Sequence, residues 1–311
     1  MAKQATREAY GKALVALGAE NSDIVVLDAD LSRSTKTANF AKHYPERFFN
    51  MGIAEANMMG TAAGLAAAGK IPFASTFAVF ATGRAFEQIR NSIAYPKLNV
   101  KIAATHSGVT VGEDGGSHQA IEDVAIMRAL PNMTVLVPAD GEETRQAIYA
   151  AAHHKGPVYI RMGRLDVPLL FDENYTFEIG KANVLREGSD VVIFANGVMV
   201  AAALEAAEES AKRGINAAVV NVASVKPLDQ ETIIRMAKAT GAVVTAEEHT
   251  VIGGLGSAVA EVLAENAPAP MARVGIKDSF GQSGRPYELL EKYGLTSKEI
   301  MEAIGEVLKR K

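Results

Sequence analysis

The chain has no cysteine and no tryptophan among its 311 residues. Without cysteine there are no disulfides and no thiolate metal sites, and nothing points to an oxidising compartment. A basic excess is missing too: 32 Lys and Arg stand against 36 Asp and Glu, for a formal net charge of −4. Such a field weakly repels polyanions, so neither nucleic acid nor an anionic membrane surface is expected as a partner, although a local basic pocket for a small anion remains compatible. No uncharged apolar run reaches the roughly 18 to 20 residues of a membrane span. The opening MAKQATREAY carries charge early and lacks a signal-type apolar core. A soluble cytoplasmic protein is expected.

What is present is ordinary globular material, 48% hydrophobic and 22% charged, long enough for two domains with separate cores. Short β-rich runs alternate with Ala-rich amphipathic stretches, the pattern of an α/β fold of parallel strands joined by crossover helices. Strands are predicted at IVVLDAD (24–30), IPFAST (71–76), VKIAATH (100–106), MTVLVPA (133–139) and PVYIRM (157–162), with helices at 5–20, over the segment around Glu55, and at 142–154. Several of these strands end in polar residues, as suits carboxyl ends that face a ligand. The pattern lapses near 166–188, with Pro, aromatics and scattered charge, and a linker is placed at 169–187 between a first unit, 1–168, and a second, 188–311. The second unit repeats the alternation: DVVIFAN (190–196), a helix over 199–213, INAAVVNV (215–222), GAVVTAEE (241–248), a helix after GGLG, and ARVGI (272–276). Thr296 and Glu299 have the spacing of a capping box opening a last helix.

Three segments bear on chemistry. In NMGIAEANMMGTAAGL (50–65), Glu55 is the one charge in a run that packs closely and excludes water, so it lies at the end of a buried face or is held by a partner. In THSGVTVGEDGGSHQAIED (105–123), four Gly accompany His106, Asp114 and His118. Gly lets a backbone approach a ligand and His carries protons near neutral pH, while the plainer reading is a solvated loop with an Asx turn at Asp114. The two His have no regular metal-ligand spacing, and no metal is assigned to this chain. In TFAVFATGRAFEQIR (76–90), aromatics at helical spacings are by default core, as for Phe86, whereas Phe77 and Phe80 flank a strand end where a ring could stack on a planar heterocycle. GGLGSA (253–258) lacks a full phosphate-binding spacing and reads as helix packing. His249, beside Glu247 and Glu248, reads as a surface or interface turn.

Together DADLSRS (28–34), GIAEANM (52–58), STFAVFATGRAFEQIR (75–90), HSGVTVGEDGGSHQAIEDVAIMRALPN (106–132), RMGR (161–164) and GRPYELLEKYGL (284–295) resemble the second half of transketolase, the thiamine-diphosphate-dependent ketol transferase, over essentially the whole chain. The resemblance implies two doubly wound α/β domains, one that binds the cofactor's pyrimidine and then the family's C-terminal domain. It also implies a role for Glu55: the matching glutamate contacts N1′ of the aminopyrimidine and so promotes loss of the thiazolium C2 proton. A dry apolar setting suits a carboxyl that must share a proton with a ring nitrogen.

By the same resemblance Phe80 and Phe77 line the pyrimidine, and Asp30 lies beside the cofactor cleft. His106 and His118 hold sugar hydroxyls and shuttle protons, and Asp114 reads a donor hydroxyl. Arg164 and Ser34, with His106, bind the sugar phosphate, the guanidinium fork matching phosphate geometry. The family's G-D-G motif, which holds diphosphate and Mg²⁺ or Ca²⁺, does not occur here. The expectation is therefore a split transketolase, working in the pentose phosphate pathway with an N-terminal partner subunit in a two-plus-two heterotetramer. Ala54 and Ala56 replace the Arg and His that flank the glutamate in many single-chain members. The rival readings are 1-deoxyxylulose-5-phosphate synthase, the β subunit of a 2-oxo acid dehydrogenase, and a non-catalytic scaffold.

Overall fold

The computed structural model describes residues 2–311. In chain order the strands are β1 (Lys3–Ala5), β2 (Ile24–Asp28), β3 (Phe48–Asn50), β4 (Ile71–Phe77), β5 (Lys101–Thr105), β6 (Thr134–Leu136), β7 (Val158–Arg161), β8 (Asp166–Pro168), β9 (Asn183–Arg186), β10 (Val191–Ala195), β11 (Ala217–Asn221), β12 (Ser224–Lys226), β13 (Val243–Thr250) and β14 (Met271–Ile276). The first sheet has the order β12-β6-β7-β5-β4-β2-β3, parallel except for β12, and the second β14-β13-β10-β11-β9, parallel except for β9. Strands β1 and β8 form a separate antiparallel pair. All the long strands read from the sequence are present. Central strands such as IVVLD and KIAAT are buried along their whole length, which is why their middles read as apolar runs, with Asp28, Lys101 and Thr105 as buried polar ends.

Strand alternation divides the first core into two layers. Leu27, Ala74, Ile102 and Val135 pack on one face with Met58, Met59 and Ala62 of the helix Glu55–Ala67. Val26, Phe73, Ala103 and Leu136 pack on the other with the helices Thr6–Glu20 and Gly141–His153. The chain leaves β2 toward β3 on one side and then returns to place β4 on the other. This makes a topological switch point between β2 and β4, where open α/β sheets form a crevice at the carboxyl ends of their strands.

One short strand ties the two sheets together, and another lies within the predicted linker. β12 follows the second unit's β11 but pairs with β6 of the first sheet. Asn183–Arg186, inside the stretch 169–187, is the antiparallel edge of the second sheet. The helix Gln230–Thr240, absent from the sequence reading, is bounded by an Asp229 cap that accepts from Thr232 N and by Gly241 at φ +66°. Thr296 caps Ser297–Leu308 by accepting from Lys298 N, and its hydroxyl donates to Glu299, so the pair meets side chain to side chain.

Candidate active site

The carboxyl ends of β2 to β5 and β7, with the loops that follow, carry most of the polar groups singled out in the sequence. Glu55 is the first residue of its helix, where a carboxylate complements the unpaired N–H groups of the first turn. It is 4% exposed and accepts a hydrogen bond at Oε1 from Arg84 Nη1 at 2.8 Å. The partner asked of an isolated acid in an apolar run is thus a guanidinium 29 residues on, half-exposed, whose Cζ lies 4.1 Å from the Phe80 ring centroid.

Phe80 continues the chain of contacts. Its ring is nearly parallel to that of Phe77, with centroids 5.8 Å apart and a 13° tilt, and Phe77 stacks in turn on the His106 imidazole at 3.8 Å. The His118 ring is steeply inclined to both phenyl rings, at 66° to Phe77 and 71° to Phe80. Phe77 ends β4 and His106 follows β5 directly, so the strand pairing of Phe77 with Thr105 sets the stack.

His106 is 2% exposed and sits at φ +57°, a left-handed conformation in which His is among the more tolerated side chains. Its Nε2 lies 3.2 Å from Arg7 Nη1 and its Nδ1 2.9 Å from Thr105 Oγ1. A guanidinium has only donors, so Nε2 accepts and the Nδ1–H donates to Thr105. Burial first, and then the cations of Arg7, Arg164 and Lys36, push its pKa down to about 3, so the ring is neutral at any working pH. Both nitrogens are engaged, which leaves no free N–H for a ligand while Arg7 stays in place.

Arg7 also donates to the Ser34 carbonyl at 3.0 Å, and its Nε is buried without a partner among the described residues. Neither Arg7 nor Arg84 was singled out in the sequence. Each lies on an Ala- and Gly-rich helix, where an arginine reads as solvated, and only the approach of other strands gives it a target. Arg164 holds the Val111 carbonyl at 2.8 Å and lies 3.6 Å from Asp114 and 3.7 Å from Glu113.

The structure therefore joins Glu55, Phe80, Phe77, His106 and Ser34 into one continuous line through Arg84 and Arg7, with His118 alongside. Asp114 and Arg164 form a second group near it. Asp30 is apart: exposed, at φ +64°, it receives Asn50 Nδ2 at 3.0 Å in the turn before Glu55.

The GGLGSA helix start is filled from within. Glu247 accepts from Leu255 N and Gly256 N, both at 2.8 Å, and a Cβ at Gly254 would meet its carboxylate. His249 is not in a turn but within β13, and at 1% exposed it is not at the surface: its Nε2 accepts from Ala125 N of the first unit, so only the interface part of that reading holds.

A family model described as the transketolase pyrimidine-binding domain matches residues 2–168, and one described as the transketolase C-terminal domain matches 180–300. The chain is 54% identical over 307 residues to a putative transketolase C-terminal section of Methanocaldococcus jannaschii, covering 98% of this chain and 96% of that protein. It is 50% identical to the 6-deoxy-6-sulfo-D-fructose transketolase subunit SqwH of Clostridium sp. (strain MSTE9), covering 98% and 95%. A solved chain described as a split gene transketolase, inactive β4 tetramer, superposes with a TM-score of 0.93 at 64% identity, covering 98% of each.

Proposed function

Because the chain belongs to the transketolase family, as the C-terminal subunit of a split enzyme rather than a synthase, dehydrogenase or scaffold, we propose that the line from Glu55 to Ser34 is its share of a thiamine diphosphate site completed by an N-terminal subunit. Members of this family depend on that cofactor, which when bound supplies the electron sink for ketol transfer. The observation that carries the site reading is the meeting of a buried carboxylate with a parallel aromatic pair at one set of strand ends. Those two features suit an aminopyrimidine, which needs a flat apolar surface and one acceptor at its edge.

In this reading Glu55 receives N1′, and Phe80 and Phe77 form the ring's seat. His106, neutral and fully bonded, positions Arg7 and exchanges no proton of its own. His118 is the proton carrier: its Nδ1 meets Ser117 Oγ at 3.0 Å, and among the described residues its Nε2 makes no hydrogen bond. Asp114 reads a donor hydroxyl, and Asp30 borders the cleft. Arg7, Arg164 and Ser34 take the substrate's terminal anion, and the buried unpartnered Nε of Arg7 is a donor such an anion would satisfy. The diphosphate and its Mg²⁺ or Ca²⁺ belong to the partner, in keeping with the missing G-D-G. The assembly is a two-plus-two heterotetramer acting on sugar phosphates of the pentose phosphate pathway in the cytoplasm. The description of the 64% identical chain as an inactive β4 tetramer supports the need for a second subunit. A sulfonate could replace the phosphate, since a relative at 50% identity is named for a sulfosugar and a guanidinium cluster reads either anion.

Calorimetry and reconstitution test the proposal. The chain alone should bind thiamine diphosphate poorly and turn over nothing, and adding the N-terminal subunit with Mg²⁺ should give ketol transfer. Micromolar cofactor binding by the chain alone, or a reconstituted complex without transfer, overturns it.

A further inference from the structure

The Gly-rich loop holding Asp114 and His118 was read from the sequence as a place where backbone meets ligand. Its glycines instead make room for the second domain. A Cβ at Gly115 would lie 2.5 Å from Ser283 Oγ, and one at Gly116 2.7 Å from the Gly281 carbonyl oxygen. A Cβ at Gly112 would lie 3.2 Å from the Pro286 ring. The segment 277–285, which has no regular secondary structure and links β14 to the helix Pro286–Lys292, is thus laid across the loop as a strap.

One side chain fastens the two together. Gln119 is 3% exposed, and its Nε2 donates to Val109 O at 3.1 Å and Gly112 O at 3.4 Å inside the loop, and to Gln282 O at 2.9 Å in the strap. Gly281 lies so close that an added Cβ would fall 1.7 Å from Gln119 Oε1. Beyond the short turn Val109–Val111, closed by Gly112 N to Val109 O at 3.1 Å, the loop's own framework is slight: Gly115 N to Gly112 O and His118 N to Gly115 O, at 3.1 and 2.9 Å. Four glycines in nineteen residues carry a large conformational entropy to be restrained. A loop of this composition keeps one shape only when something outside it supplies the contacts.

We propose that Gln119 is a positioning residue and that the strap 277–285 is the second domain's contribution to the active site, fixing Asp114 and His118 for the sugar. The inference rests on the substrate role given above to those two residues. It assigns the C-terminal domain a part in substrate handling, separate from cofactor activation at Glu55, which lies on other strand ends.

The test uses the reconstituted complex with Gly281→Ala, Gln119→Ala and the double variant. Hydrogen exchange by mass spectrometry should show loss of protection across 108–119 in Gly281→Ala, where the new methyl group strikes Gln119. Protection should return in part in the double variant, where the obstructing amide is gone. Kinetically, kcat/KM for the sugar should fall by about ten- to a hundredfold, the scale of an ångström-sized misplacement, while C2–H exchange of bound thiamine diphosphate stays at the wild-type rate. Should Gly281→Ala fail to fold, Gln119→Ala removes the three hydrogen bonds without a clash and must give the same split. Unchanged loop protection, or equal losses in C2–H exchange and sugar turnover, overturns the positioning role. A wild-type complex that transfers no ketol unit would instead overturn the functional reading and leave the exchange result to decide the strap.

Discussion

Replacing Arg7 with Ala separates two jobs that the structure gives to one guanidinium. Its Nη1 is shared between the Ser34 carbonyl and His106 Nε2, and its Nε is buried without a partner. If the side chain contacts a terminal phosphate, losing a charge-assisted hydrogen bond costs roughly 1.5–3 kcal/mol, which at about 1.4 kcal/mol per decade is a fall of about ten- to a hundredfold in kcat/KM. A second loss falls on every substrate, because His106 Nε2 is left buried without its donor. That common loss appears with glycolaldehyde, which carries no phosphate. The assay is steady-state ketol transfer by the reconstituted complex with a phosphorylated acceptor and with glycolaldehyde, and the ratio of the two kcat/KM values isolates the anion contact. For Arg7→Ala both values should drop and the ratio should shift by about ten- to a hundredfold. Arg164→Ala should shift the ratio too, but with a smaller common loss, since Arg164 touches Val111, Glu113 and Asp114 and not His106. A ratio that stays at the wild-type value in Arg7→Ala would refute the anion role and leave Arg7 as a support for His106 alone.

Other outcomes follow from single groups. Glu55→Gln keeps an oxygen for Arg84 but cannot share a proton with N1′, so C2–H exchange in the complex should slow by about 10² to 10⁴, and exchange at the wild-type rate would remove Glu55 from that role. Glu143 is fully buried and accepts from Ala139 N, Tyr175 Oη and Asn221 Nδ2, each at 2.6 Å. Burial outweighs those donors and pushes its pKa up to about 7 from 4.5. The folded state then binds the extra proton between about pH 4.5 and 7, so this group's contribution is full below that window and lost as pH rises through it, with a slope of at most about 1.4 kcal/mol per pH unit. Glu143→Gln should flatten that part of the pH dependence of thermal unfolding, and an unaltered profile would show that the slope arises elsewhere. Gly108 has φ +75° and ψ −173°, a region open essentially only to glycine, and an added Cβ would lie 2.1 Å from the Glu248 carboxyl carbon. Gly108→Ala should cost at least about 1–3 kcal/mol from the backbone alone and also break the 2.7 Å bond from Thr110 N to Glu248, so a melting temperature equal to wild type would contradict the packing described.

The long strands were legible in the amino-acid order because a parallel strand covered on both faces must be largely apolar, as IVVL, IAA and VVIFA are in β2, β5 and β10. The oddity of Glu55 was legible for the same reason: a charge in an apolar run needs a partner, whichever partner it proves to be. The family motifs carried the pyrimidine domain and the C-terminal domain with them. Tertiary structure alone decided the rest. Edge strands of three or four residues, such as Phe48–Asn50 and Ser224–Lys226, have too little pattern to announce themselves and exist because a neighbouring strand offers hydrogen bonds. The Gly-rich loop could not disclose that its space is taken by residues about 165 positions away, since a glycine leaves the same mark whether a ligand or another backbone approaches it. Arg7 and Arg84 look like solvated helix residues until the fold brings Ser34 and His106 to the one and Glu55 to the other. Periodicity along a chain reports which face of an element is buried, but a charge acquires its function from groups distant in sequence, and only the folded arrangement sets those distances.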